Sequence, residues 1–133
     1  MSEDNILKIE QSIRDWIDTD LVKIPPEIVE LVNSVARCGK TQVDWTLLRA
    51  VLAVYLKQSI EECQQKINEL SGSTDIEKDD EKKAELLAQL FTFQEPPITL
   101  QRLCEILLDG GRWYKNPVKL LKALEKLIYI SPC

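Results

Sequence analysis

Apolar residues recur at steps of three and four along most of this 133-residue chain, the rhythm of helices that bury one face. Ile6, Ile9, Ile13, Trp16 and Ile17 make the first stripe, over residues 3–19, and Ser2 stands in position to cap it. The stretch "DTDLVKIPPE" interrupts the rhythm. A second helix is predicted over 26–38. Pro26 suits its first position, where a missing N–H is not needed, and Gly39 supplies the stop. Ile28, Leu31, Val32 and Val35 form its stripe. Asp44 then caps the longest predicted helix, 45–70. From Trp45 to Leu56 it is apolar on nearly every side, which predicts a central segment. After Lys57 only Ile60, Cys63, Ile67 and Leu70 remain, so its outer half is expected to run along the surface.

"SGSTDIEKDDEKK" combines turn formers with a dense charge run and predicts a mobile acidic loop over 71–82. A fourth helix is expected over 80–91, capped by Asp79 or Asp80, with Ala84, Leu87, Leu90 and Phe91 inward. "QEPP" ends it, because a residue before proline avoids the helical region. Thr99 is the expected cap of a fifth helix, 100–108, with Leu100, Leu103, Cys104 and Leu107 inward. "DGGRWYKN" turns the chain, and Asn116 followed by Pro117 starts a sixth helix, 117–127. Val118, Leu121, Leu124 and Ile128 stripe that helix, with Leu120 and Leu127 beside them. "IYIS" reads as a short β-like tail or as the last packed turn. The pattern as a whole predicts one all-α domain over 1–133. Its architecture is an irregular bundle of about six helices or a HEAT-like stack, with a short β-like or winged-helix-like element at the C-terminus.

Composition narrows the function more than the fold. The formal net charge is −5, with 22 acidic against 17 basic side chains, which disfavours a general phosphate-binding role and hence nucleic acid as a partner. The chain has no histidine, so catalysis by a histidine base is excluded. The four cysteines, Cys38, Cys63, Cys104 and Cys133, form no C-x-x-C pair. They are expected to be free thiols, three of them on helix faces as small hydrophobes, and neither a metal nor a cofactor is expected. Charges interrupt the first twenty residues. The longest mostly apolar run, Leu47 to Leu56, is about half a membrane span and contains Arg49. An intracellular, soluble protein with no membrane partner is therefore expected.

No catalytic motif is present: there is no G-x-S-x-G, P-loop or dinucleotide-binding glycine pattern. The glycines of "DGG" at 109–111 lie between two helices and read as a turn, and Glu61/Glu62 and Asp79/Asp80 read as solvated faces. Two features point outward. Lys115, Lys119, Lys122 and Lys126 step by four, three and four and line one helix face, which in a helix-turn-helix setting would meet phosphates. The plainer reading is the solvated side of an amphipathic helix. Arg112, Trp113 and Tyr114 in the turn are the residue types that anchor protein–protein contacts, although Tyr114 also suits a lid on the helix junction. Arg102 and Glu105, three apart, share a face as an intrahelical pair or as a charged rim for a partner. A third reading has the outer half of the longest helix forming an antiparallel seam with a second copy, centred on Cys63.

The segment "PITLQRLCEILLDGGRWYKNPVKLLKALEKLIYIS" resembles the signature region of the protein phosphatase 4 regulatory subunit 2 family. Pro97, Thr99, Gln101, Arg102, Leu103, Cys104, Glu105, Leu107, Asp109, Arg112, Tyr114, Leu121, Glu125 and Lys126 carry the likeness. Upstream, "VNSVARCGKTQVDWTLLRAVLAVYLKQSIEE" is similar to the family's helix break and following long helix, through Val35, Ala36, Arg37, Gly39, Thr41, Val43 and Trp45. Family members often have Asp-Pro-Arg-Arg in the turn, where this chain has Asp-Gly-Gly-Arg at 109–112. They also usually continue into a long acidic tail. The resemblance implies a non-catalytic regulatory subunit that binds the phosphatase catalytic subunit and a second, larger regulatory subunit. It further implies a role in setting location and substrate choice, in nucleus and cytoplasm and at the centrosome. The partner-binding residues expected on that basis are Arg102, Glu105, Asp109, Arg112, Trp113 and Tyr114.

Overall fold

The computed structural model describes residues 3–19, 23–71, 76–113 and 117–129, and their side chains except those of 66–71, 76–79, 110–113 and 117–118. Six helices follow one another: α1 (Glu3–Ile17), α2 (Pro26–Cys38), α3 (Trp45–Ser71), α4 (Ile76–Thr92), α5 (Leu100–Trp113) and α6 (Pro117–Ile128). Local chemistry accounts for several of these limits. Pro26 opens α2, and Gly39 closes it at φ 74°, its N–H donating to Val35 O at 2.7 Å. Asp44 caps α3, its Oδ1 accepting the Thr46 N–H at 3.2 Å. Ser2 and Asn116, two further expected caps, lie outside the described residues, and Asp79 and Asp80 lie inside α4, which starts at Ile76, and do not cap it.

α3 is the axis of the bundle and touches α1, α4, α5 and α6, while α5 bridges α2 and α3. Leu48, Leu52, Leu56 and Ile60 of α3 are fully buried, each removal from water contributing about 1.5–3 kcal/mol. α4 returns antiparallel along α3: Lys83 Nζ lies 3.4 Å from Glu61 Oε1, and Trp45 Nε1 donates to Phe93 O at 3.0 Å. Arg49 Nη1 reinforces that end by donating to Phe91 O and Phe93 O at 3.0 and 2.9 Å. These two side chains satisfy carbonyls that the end of α4 leaves without helical partners.

Several expectations need correction. Residues 76–82 are helical, not loop; Glu77, Asp79, Asp80 and Glu81 outnumber Lys78 and Lys82 there, a negative balance that a helix N-terminus favours, and Lys83 pairs with Asp80 at 3.4 Å. Residues 72–75 lie outside the described residues. The inward face of α4 is Leu86 and Leu90, continued by Phe93, whereas Ala84 and Phe91 are exposed; α4 packs against both α3 and α6, and that position selects the stripe. The Phe91 ring is turned out beneath the Arg49 guanidinium, 5.1 Å from its centroid. Ile17 is exposed because α1 ends there. Thr99 does not cap α5 with its side chain; its hydroxyl donates to Leu127 O at 2.8 Å and ties α5 to the end of α6.

The expected turn after 108 is a break inside α5: Asp109 leaves helical geometry (φ −123°, ψ 17°), and helix resumes to Trp113. At the other end, α6 continues to Ile128, and the Tyr129 N–H donates to Glu125 O at 2.9 Å. The β-like or winged element is therefore not found: no strand occurs among the described residues, and residues 130–133 fall outside them. The outer half of α3 is no free seam, since Ile60 and Cys63 are buried within the chain as α4 folds back over them. Cys38 is exposed, unlike buried Cys63 and Cys104, because it ends its helix; Cys133 lies outside the described residues.

Candidate interaction surface

α5 is a two-sided helix. Leu103, Cys104, Ile106 and Leu107 pack into the core, and Gln101, Arg102 and Asp109 are exposed on the other side with Glu105 half-buried beside them. Gln101 Nε2 donates to Ala36 O at 3.2 Å and to Arg37 O at 3.0 Å, so the side chain of one helix completes the C-terminus of another. Gly39 makes the approach possible. A Cβ placed there would lie 3.1 Å from Gln101 Oε1.

A shallow groove of about 440 Å³ runs between α2 and α5. Asn33, Ala36 and Arg37 line it from α2, and Gln101, Glu105, Leu108 and Asp109 from α5. Of the sequence-predicted residues, Glu105 and Asp109 come together in this groove. Arg102 stands outside its lining and bonds Glu105 Oε2 through Nη1 at 3.1 Å. Both partners of that pair are about half exposed, so it organises the rim more than it stabilises the fold. Across the groove Arg37 lies 3.7 Å from Glu30 Oε1, again with both side chains exposed. The side chains of Arg112 and Trp113, and all of Tyr114 and Lys115, lie outside the described residues.

Asn33 and Arg37 are wall residues that sequence reasoning did not assign to a site. Only their place in the last turns of α2 hinted at it, because the opposing wall is more than sixty residues further along the chain. On a separate face, Lys119, Lys122 and Lys126 are exposed on α6, while Glu125 between them is bound by Lys82 of α4 at 2.7 Å. That bond, opposed by desolvation, holds the Lys82 ammonium above its ordinary pKa.

Nothing in this arrangement resembles an activated nucleophile. Burial, with a smaller contribution from Glu105, pushes the Cys104 thiol up to about 12, so it stays protonated at neutral pH. Burial likewise raises the Tyr55 hydroxyl, with Cys104 adding to it. Among the described residues no three His, Cys, Asp or Glu side chains converge as metal ligands, and no helix is long and apolar enough to cross a membrane. What the surface offers is a charged rim around a shallow cleft, suited to a protein partner.

Residues 35–45 and 97–107, two of the stretches that carry the family resemblance, meet at this groove through the Gln101 bonds. Comparison with known proteins agrees. The chain is 26% identical over 130 residues to serine/threonine-protein phosphatase 4 regulatory subunit 2-A of Xenopus laevis, covering 95% of this chain and 32% of that protein. It is 30% identical over 132 residues to serine/threonine-protein phosphatase 4 regulatory subunit 2 of Drosophila melanogaster, covering 96% of this chain and 22% of that protein. The protein of the same name from Homo sapiens is 23% identical over 133 residues, covering 97% and 32% respectively. The chain thus spans about a third or less of the length of these relatives. No solved structure matches it. The profile of the family described as PPP4R2 matches residues 9–133, nearly the whole chain, and the chain belongs to that family.

Proposed function

We propose that this domain is a non-catalytic regulatory and scaffold unit of a serine/threonine protein phosphatase 4 complex. It binds the catalytic subunit and a larger regulatory subunit, and so directs the location and substrate choice of the enzyme in nucleus and cytoplasm, including the centrosome. The observation that carries the reading is the family match over residues 9–133. The convergence of both resembling segments on one groove supports the α2/α5 face as the contact surface. In this reading the bond-breaking chemistry belongs to the partner. The domain contributes shape and a rim of alternating charge, with Arg37, Arg102, Glu105 and Asp109 recognising complementary charges.

A charge swap tests the assignment without disturbing the helix. Arg102→Glu with Glu105→Arg retains an i,i+3 ion pair but reverses what the rim displays. Joined to Arg37→Glu, it is expected to abolish co-purification of the phosphatase catalytic subunit while circular dichroism stays unchanged. Undiminished recovery of the catalytic subunit would remove this surface from the proposal. A wild-type domain that recovers no catalytic subunit at all would remove the regulatory role itself.

A further inference from the structure

The exposed face of α6 carries charge that the described residues leave without an ion-pair partner. Lys119, Lys122 and Lys126 lie within one narrow strip, spanning roughly 10 Å along the helix axis at 1.5 Å per residue. None of the three forms an ion pair with another described residue. The acid between them, Glu125, is already neutralised by Lys82 at 2.7 Å. Beside the strip a shallow groove of about 400 Å³ is lined by Lys122, Glu125, Lys126 and Tyr129, a residue 45% exposed whose ring has the Lys82 ammonium 5.9 Å from its centroid. Three cations with no ion-pair partner among the described residues, in a chain of net charge −5, are a local reversal of sign.

We infer that this α6 strip is a docking site for an acidic polypeptide segment of a partner protein, seated along the lysines with an apolar or aromatic side chain against Tyr129. Charge complementarity selects the class of partner, and the width of the strip selects peptide over nucleic acid. α4 packs alongside α6 and presents Glu81 to solvent, together with Asp80 and Glu85, which pair with Lys83 at 3.4 Å and Lys82 at 3.7 Å. A duplex, with phosphates on both sides of a broad footprint, would meet those acids. A single peptide strand follows one helix and avoids them. No arginine, asparagine or glutamine within α6 is available to read base edges. This surface is separate from the α2/α5 groove, so the two assignments stand or fall independently.

The test is fluorescence anisotropy with the full 133-residue chain and a labelled Glu/Asp-rich peptide of about twelve residues, long enough in extended form to span the strip. Binding is expected to weaken on the order of tenfold as salt rises from about 0.05 to 0.2 M, the response of a few screened ion pairs. Lys119→Glu, Lys122→Glu and Lys126→Glu together should abolish binding, and the same three changed to Arg should retain it. Lys8→Glu, Lys40→Glu and Lys57→Glu together produce an equal change in net charge elsewhere on the surface and should leave binding intact. Three results overturn the inference: no binding by the wild-type chain, equal loss in both triple-Glu variants, or tighter binding of duplex DNA of the same total charge.

Discussion

Gly39 and Gln101 are predicted to be energetically coupled, although they lie on different helices. Gly39 holds φ 74°, a conformation that costs an ordinary L-residue roughly 1–2 kcal/mol. Replacing glycine by alanine recovers about 0.4–1 kcal/mol by restricting the unfolded chain. The backbone effect of Gly39→Ala is then about 1 kcal/mol destabilising. The new Cβ would also lie 3.1 Å from Gln101 Oε1 and 3.4 Å from its Cβ, tight enough to push the amide off the Ala36 and Arg37 carbonyls. Those carbonyls are near solvent and water can replace the amide, so losing both bonds costs about 1 kcal/mol in total. Gly39→Ala should therefore cost about 2 kcal/mol and Gln101→Ala about 1. With Gln101 already truncated, the second penalty has gone, and the double variant should cost about 2 kcal/mol where simple addition gives about 3. Urea unfolding of the four proteins measures the cycle, with the denaturant slope expected to be unchanged. Strict additivity, to within about 0.3 kcal/mol, would refute the claim that Gly39 makes room for Gln101.

Other outcomes follow from the same geometry. Leu90→Ala, at a side chain 1% exposed, should cost about 2–5 kcal/mol, whereas Phe91→Ala, at 47%, should cost well under half as much; equal costs in chemical denaturation would reverse the assigned face of α4. Trp45→Phe removes the donor to Phe93 O and replaces a buried indole with a smaller phenyl ring, so a loss of about 1–3 kcal/mol is expected in the same assay. The raised Cys104 thiol makes stability depend on alkaline pH. Above about pH 9 the unfolded thiol releases its proton while the folded one keeps it, so stability falls as pH rises toward about 12, by up to ~1.4 kcal/mol per pH unit. Cys104→Ala should flatten that slope between pH 9 and 10, before Tyr55, raised in the same direction, contributes.

Much of the architecture is legible in the chain because its signals are local. Pro26, Gly39, Asp44 and Pro117 mark helix limits through backbone dihedrals and hydrogen bonds that involve only residues within a turn of themselves. The stripes of α2, α5 and α6 needed no tertiary knowledge either, since each has one dominant apolar face, and the three-residue spacing of Arg102 and Glu105 is enough to bring them together on one side of α5. Other features required the assembled bundle. α4 offers two apolar faces about 100° apart, one through Leu87 and Phe91 and one through Leu86 and Leu90, and only its seat against α3 and α6 chooses between them. Thr99 had a capping role available within its own helix and instead bonds α6. Arg37 and Asn33 join Glu105 and Asp109 only because α2 and α5 pack together. The division has one cause: a cap is decided by neighbours along the chain, whereas burial and a two-walled groove are decided by neighbours in space, which no short window of residues contains.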